Sequence, residues 1–169
     1  MSNQRFFYNN NGDMTDKAAI DTSAGAGSAG LIPCLGGDGR LNINMMPTSI
    51  GQDVESVVAS EALTAGDFVN LWNDTTLKCR KADATTNGKR ANGFVLAAVD
   101  SGATASVYRQ GENNQLTGMT IGARQFLHTT AGGRTETAPS GSGNYVQNLG
   151  IAISATTVFF EERDGFTLA

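Results

Sequence analysis

The segment spanning residues 91–109 constrains the fold more than any other part of the chain. Residues 94–99 form a continuous apolar run of strand length, and Asp100, Ser101 and Gly102 after it are turn-forming residues. Residues 104–108 then alternate between polar and apolar positions. The pattern predicts a β-hairpin. Because its first strand is apolar on both faces, we expect that strand in the middle of a barrel or sandwich rather than at an edge.

The remainder of the chain after residue 53 repeats this rhythm of short strands and turns. Clusters of Gly, Asn, Asp and Ser interrupt the apolar runs at regular spacing, and no helical periodicity extends beyond a turn or two. The predicted strands cover residues 54–59, 68–73, 77–81, 93–99, 104–109, 125–129, 144–154 (with a break near Gly150) and 157–162. The sequence therefore predicts an all-β fold, a small barrel or sandwich with little helix.

Composition limits the kind of partner that the chain can bind. Its 169 residues suit one domain, or one domain with an arm, and 21 glycines against 3 prolines indicate many turns. With a net charge of -4, the chain lacks the clustered Lys and Arg that bind nucleic acid or anionic lipid. No apolar run reaches membrane length and no signal peptide is visible. We therefore expect a protein made in a cytoplasm, without nucleic-acid or membrane partners.

Residues 1–53 differ in composition and are predicted to form an extended arm and linker ahead of a domain at 54–162 and a tail at 163–169. Residues 18–30 are mostly small, as in linkers, and alternation at 41–45 allows one short strand at most. So few apolar residues cannot offset the entropy lost on ordering. The arm is either disordered or docked, and we favour docking on a partner or neighbouring subunit. The candidate contact residues are Phe6, Phe7, Tyr8, Leu31, Ile32, Leu41, Ile43, Met45 and Met46.

No constellation of residues in the sequence predicts an enzyme. Residues 25–30 match the glycine pattern of dinucleotide sites but lack the flanking strand and helix that such sites require. His128, the single histidine, has no nucleophile or carboxylate set around it that would form a triad. Cys34 and Cys79 are far apart and belong to no metal-ligand motif, and whether they pair is left open. We expect no catalytic residues, no cofactor and no metal.

Five segments together match a known pattern. Residues 29–47 carry Leu35, Gly39 and Leu41 in the order Leu-x-x-x-Gly-x-Leu, followed by Met-Pro. Residues 63–72 and 90–108 look like the opening strands of a β-domain, and residues 116–128 and 146–161 look like its closing half. As a set, these segments resemble the bacteriophage capsid decoration (cement) and head-fibre proteins.

The resemblance implies a non-enzymatic virion protein. Its β-domain would form a knob, typically as a homotrimer, and its arm would fix the knob to the major capsid protein. The protein would be made in the host cytoplasm, bind the outer capsid surface and stabilise the shell. The alternative is a receptor-binding module of a head or tail fibre, which would engage host glycans through exposed rings such as Trp72 or Tyr145.

Overall fold

A computed structural model describes residues 5–46 and 53–169 of the chain. The chain divides into two compact units, Met1–Gly51 and Gln52–Ala169, called here the N-terminal unit and the β-domain. In the described ranges the regular structure consists of β-strands and short 3-10 turns, with no α-helix. The predicted all-β fold with little helix is therefore confirmed.

A β-hairpin is the main element of the N-terminal unit. Strands β1 (Arg5–Asn10) and β2 (Asp13–Ala18) pair antiparallel along their full length. The two residues between them, Asn11 and Gly12, have positive φ angles of 54° and 105°. Asn and Gly tolerate this left-handed geometry best, and it matches the twist of the flanking strands. The Asn9 side chain closes the turn by accepting a hydrogen bond from Gly12 N at 2.6 Å.

Before residue 54 the described strands lie in the hairpin and not at residues 41–45, where alternation allowed one short strand at most. The hairpin supplies two strands, and the Asn-Gly pair at its turn is the sequence signal that would have indicated it. The segment Ile43–Met45, where alternation suggested a strand, is a 3-10 turn. Asn42 explains the difference, because its carbonyl accepts a hydrogen bond from Met45 N and its side chain accepts one from Asn44 N.

The first half of the β-domain is a closed five-stranded barrel with the strand order β3-β5-β4-β6-β7. Its strands are β3 (Val54–Ala59), β4 (Phe68–Asp74), β5 (Thr76–Lys81), β6 (Gly93–Phe94) and β7 (Thr104–Tyr108). The barrel closes where β7 pairs antiparallel with β3, and its one parallel pair is β3 with β5. Small and branched side chains fill the interior, namely Val57, Ala59, Leu63, Val69, Cys79, Val95, Ala105 and Val107.

The second half of the β-domain adds a five-stranded antiparallel sheet and a small two-stranded sheet. The strands are β8 (Gln110–Asn113), β9 (Arg124–Leu127), β10 (Arg134–Thr135), β11 (Tyr145–Val146), β12 (Asn148–Ala152), β13 (Val158–Glu161) and β14 (Phe166–Thr167). The larger sheet has the order β10-β9-β12-β13-β8, and β11 pairs with β14. Leu127, Leu149 and Phe160 of the larger sheet pack against Phe68 and Phe94 of the barrel in one buried cluster.

Most predicted strands of the β-domain agree with the observed ones. Six predictions match the observed strands within one or two residues at each end, namely those at 54–59, 68–73, 77–81, 104–109, 125–129 and 157–162. The predicted segment 144–154 is divided at Gln147 into β11 and β12, and a register shift lies at Gly150. Strands β8, β10 and β14 were not predicted, because they are short and their composition is polar or mixed.

The predicted strand at 93–99 is wrong beyond Phe94. Strand β6 does pair with both β4 and β7, so its central position is as expected. After Phe94 the chain turns across the barrel, where the Val95 amide donates to Asp67 O and the Val95 carbonyl accepts from Gly66 N. Val99 then forms a bridge with Leu63. The apolar run therefore leaves the strand after Phe94 and contacts residues 63–67 instead.

Gly150 forms a bulge that only glycine fits. Its φ angle is 129°, and the register of β12 against β9 shifts between Asn148 and Gly150. The Asn148 side chain accepts a hydrogen bond from Gly150 N at 2.7 Å, which holds the bulge closed. A Cβ atom at Gly150 would overlap the carbonyl oxygen of Phe159 on β13. Both the backbone conformation and the space therefore require glycine.

Substituting Gly150 should destabilise the β-domain strongly. We expect Gly150→Ala to lower the free energy of unfolding by about 3 kcal/mol or more, since backbone strain and atomic overlap add. The matched control is Gly102→Ala, where φ is 85° but no heavy atom lies within 4 Å of the added Cβ. Strain alone should cost about 1–2 kcal/mol there. Denaturant unfolding followed by the fluorescence of Trp72 measures both, and equal losses would contradict the overlap.

Candidate functional site

The N-terminal unit has a surface rich in apolar side chains, and none of the side chains described among residues 5–42 and 44–46 is buried. Phe7 on β1 is 74% exposed and Met14 on β2 is 68% exposed. Leu35 and Ile32, in the loop after the hairpin, are exposed as well. This pattern is the reverse of a folded core, because large apolar groups face solvent at an energetic cost.

The two faces of the hairpin differ in how far they are covered. Phe6 and Tyr8 project from one face, where their ring centroids are 6.1 Å apart, and Lys17 on that face donates a hydrogen bond to Gly30 O at 3.2 Å. Phe7 and Met14 project from the opposite face, since residues alternate along a strand. The Phe7 face is therefore the more open of the two.

A shallow cavity of about 360 Å³ lies within the N-terminal unit. Its wall is mainly apolar, and Phe6, Ile32 and Leu41 from the predicted contact set contribute to it. Its remaining lining residues are Arg5, Ala19, Pro33, Cys34 and Leu35. An apolar side chain from another protein would lose water contact on entering such a cavity, which is the usual source of docking energy.

The predicted contact residues fall into two groups. The exposed group consists of Phe7, Tyr8, Ile32 and Leu41. The partly covered group consists of Phe6, Leu31, Met45 and Met46. The side chain of Ile43 lies outside the described residues. The structure brings Phe6, Ile32 and Leu41 together at the cavity, whereas Phe7 projects from the other face of the hairpin. Sequence reasoning missed Met14 and Leu35, which are also exposed; pairing β1 with β2 would have placed Met14 on the same face of the hairpin as Phe7.

A polar cleft of about 470 Å³ opens on the β-domain. The carboxylate of Glu162 accepts a hydrogen bond from Asn92 Nδ2 at 2.7 Å and one from Arg109 at 2.9 Å. The exposed Arg90 stands at the rim. The other lining residues are Asn70, Leu71, Asn87 and Gly88. Amide, guanidinium and carboxylate groups at this density can exchange hydrogen bonds with a hydroxyl-rich ligand.

The aromatic rings suggested for glycan binding are less available than predicted. Tyr145 is buried, and its hydroxyl accepts a hydrogen bond from Gly165 N at 2.7 Å, so the expectation that this ring is exposed is wrong. Trp72 is half-buried and donates from Nε1 to Ser60 Oγ at 3.3 Å. The Arg80 guanidinium lies 4.8 Å from the centroid of its ring. One face of the Trp72 ring therefore already has a cationic partner.

The groups considered for catalysis are separate from one another. His128 Nδ1 accepts a hydrogen bond from Thr130 N at 2.8 Å, which is a local turn contact. Both cysteines are free, and burial raises the pKa of the Cys79 thiol to about 11, so it is protonated at neutral pH. Among the described residues, no group of three or more His, Cys, Asp or Glu side chains could hold a metal ion.

The glycine-rich segment at residues 25–30 does not form a nucleotide site. Gly25–Ser28 is a single 3-10 turn followed by Pro33 in a β-bridge with Ile20, which is not the strand-turn-helix geometry of a dinucleotide site.

Across residues 5–46 and 53–169, no helix is both long and apolar enough to cross a membrane.

Asp83 fixes the loop that forms one side of the cleft. Its carboxylate accepts hydrogen bonds from Thr85 N and Oγ1, and from Lys89 Nζ at 3.0 Å. Burial alone would raise the pKa of Asp83, but the hydrogen bonds from Thr85 and Lys89 outweigh it and hold the pKa below its ordinary value. The ionised form is therefore part of the folded loop 83–89, which carries Asn87 and Gly88 to the cleft.

Replacing Asp83 should remove stability at neutral pH but not in acid. Because the folded pKa is lowered, its contribution is complete above the ordinary Asp pKa of about 3.9 and is lost as the pH falls through the folded value. We expect Asp83→Asn to cost about 1–3 kcal/mol at pH 7, since an amide would oppose the Lys89 ammonium. The difference from wild type should shrink below about pH 4.

The control for this prediction is an exposed ion pair. Asp74 bonds Lys78 at 2.8 Å on the surface, and Asp74→Asn should change stability by less than about 0.5 kcal/mol. Denaturant unfolding at several pH values measures both variants. A loss in Asp83→Asn that is the same at pH 3 and pH 7 would contradict the ionised contact.

No protein-family model matches the chain, and no curated protein matches it significantly. The resemblance to phage decoration and head-fibre proteins stays a prediction.

Proposed function

We propose that this chain is a phage virion structural protein that binds the outer surface of the capsid and stabilises the shell. It acts as a decoration or cement protein without catalysis, and its partner is the major capsid protein. The observation that carries the proposal is the contrast between the two units. The β-domain has a buried core, whereas the N-terminal unit exposes Phe7, Met14 and Leu35, and none of its described side chains is buried.

The energetics of the N-terminal unit support docking on another protein. Covering one large apolar side chain contributes about 1.5–3 kcal/mol, and several such residues lie on one short segment. These gains are available only when a second surface covers the residues, because their side chains are exposed in the N-terminal unit. The cavity lined by Phe6, Ile32 and Leu41 gives that surface a place to insert a side chain.

The mechanism of stabilisation is passive. A ligand that binds only the assembled shell lowers the free energy of that shell by mass action, so the capsid resists disassembly. The trimeric form that the resemblance implies would link three weak contacts and raise their effective concentration. A net charge of -4 and sparse surface charge leave apolar contact as the main source of affinity.

A second candidate function rests on the polar cleft. Hydrogen-bonding groups from Asn92, Arg109 and Glu162 converge there, and such groups suit the hydroxyls of a host glycan. In this alternative the protein is a receptor-binding module of a head or tail fibre. The two candidates differ in their target, because one requires the capsid and the other requires the host cell surface.

Cosedimentation distinguishes these targets. The purified chain should bind saturably to undecorated capsids of the virus that encodes it, and not to host cells in a parallel assay. Deleting residues 1–50 should abolish capsid binding, because the exposed apolar side chains are removed, and should leave a domain that still unfolds cooperatively. Capsid binding retained by the deletion would place the contact on the β-domain, and binding to cells alone would favour the receptor-binding alternative.

A point substitution tests the hairpin directly. Phe7→Ser should weaken capsid binding about tenfold or more, since a large apolar group is lost from the contact. Phe166→Ser is the matched control, because Phe166 is also exposed, at 61%, but belongs to the β-domain. Binding isotherms from cosedimentation give both affinities. Equal affinities for Phe7→Ser and wild type would remove this face of the hairpin from the proposal.

A further inference from the structure

The outer face of the large sheet in the β-domain carries an ordered row of four exposed residues. Arg124 on β9 pairs with Ile151 on β12, Ile151 pairs with Phe159 on β13, and Phe159 pairs with Glu112 on β8. All four side chains are exposed. We propose that this face binds a second copy of the chain, with Arg124 of one copy against Glu112 of the other.

The centre of this face is apolar over more than one pair. Ile153, the residue after the end of β12, is exposed, and Ile121 is 70% exposed. The Gly122 amide donates to Ala152 O at 2.8 Å, which places the Ile121 loop along this strand. The opposite face of the sheet is the buried one, where Val158 and its neighbours are packed. A contiguous apolar patch of this kind on an otherwise folded domain indicates an interaction surface.

The two ends of the row carry unpaired opposite charges. Arg124 and Glu112 form no ion pair within residues 5–46 and 53–169, although other charged residues of the β-domain do, for example Arg163 with Glu161 at 3.0 Å. The charged ends are separated by three strand spacings, about 14 Å, with Ile151 and Phe159 between them. The face therefore presents positive, apolar, apolar and negative groups in order.

This order is complementary to itself, and that property identifies the occupant. If a second sheet is turned about an axis parallel to the strands, its Glu112 comes opposite Arg124 of the first copy and its Phe159 opposite Ile151. Sheets packed face to face lie about 10 Å apart, which side chains of this size fill. Under a two-fold axis, two copies form both Arg124–Glu112 contacts with each other. Under a three-fold axis, Arg124 of each copy meets Glu112 of the next copy around a ring. A rotation about the row itself would place Arg124 against Arg124.

Nothing in this inference depends on capsid binding, so its failure and the failure of the proposed function can be told apart. The first measurement is the mass of the full chain in solution by light scattering and sedimentation, over a range of concentrations. We expect a dimer or trimer. A monomer at every concentration up to hundreds of micromolar would overturn the proposal.

Charge reversal tests the contact itself. Arg124→Glu and Glu112→Arg should each weaken self-association about tenfold or more, because each places like charges together. The double variant Arg124→Glu/Glu112→Arg should recover it, since both contacts regain opposite charges. All the altered side chains are exposed, so the far-UV circular dichroism spectrum should be unchanged and serves as the folding control. Unaltered association in the single variants, or no recovery in the double variant, would contradict the assignment.

Mixing the two single variants gives an independent test. One variant has negative groups at both ends of the row and the other has positive groups at both ends. A mixed pair restores both contacts, and a mixed ring of three restores two of its three contacts. Association of the mixture above that of either variant alone therefore supports the proposed face, and no increase on mixing would overturn it. Phe159→Ser should also dissociate the oligomer, whereas Phe166→Ser on another strand should not.

Discussion

The contact of three phenylalanine rings between barrel and sheet is the interaction on which the β-domain depends. Phe160 on β13 lies 5.6 Å from Phe68 on β4 and 5.8 Å from Phe94 on β6, measured between ring centroids. The Phe94 ring also stacks on Tyr108 at 5.4 Å. Rings at these distances contribute packing energy beyond their buried area. A short barrel and a five-stranded sheet, each too small to be stable alone, thereby share one core.

Buried amide side chains fix how these two parts are joined. Gln147, between β11 and β12, accepts a hydrogen bond from Ala91 N at 2.8 Å and donates to Ala91 O and Arg163 O. Asn113 on β8 donates to Gly66 O at 2.9 Å. Such groups are costly to bury unless they are bonded, so alternative packings that break these bonds are disfavoured. The aromatic contact supplies energy, and the amides specify one arrangement.

The two units of the chain use apolar residues in opposite ways. In the β-domain they form the core, whereas several large ones in the N-terminal unit are exposed, as Phe7 and Met14 show. The exposed row from Arg124 to Glu112 is a second surface that we propose binds another protein chain. Its charged and apolar side chains are ordered so that they complement the same face of a second copy. An assembly in which several copies present their N-terminal units together would use both surfaces at once.

Sequence alone determined the fold class, most of the strands and the unusual composition of the N-terminal unit, because alternation, turn residues and apolar content are local properties. It predicted the strand at 54–59 from such a pattern alone. Only the tertiary structure decided where the run after Phe94 goes, because its partners at Asp67 and Leu63 lie about thirty residues earlier in the chain. The same holds for the burial of Tyr145 and for the row from Arg124 to Glu112. Those four residues lie on four strands, and only the sheet register, a long-range property, aligns them.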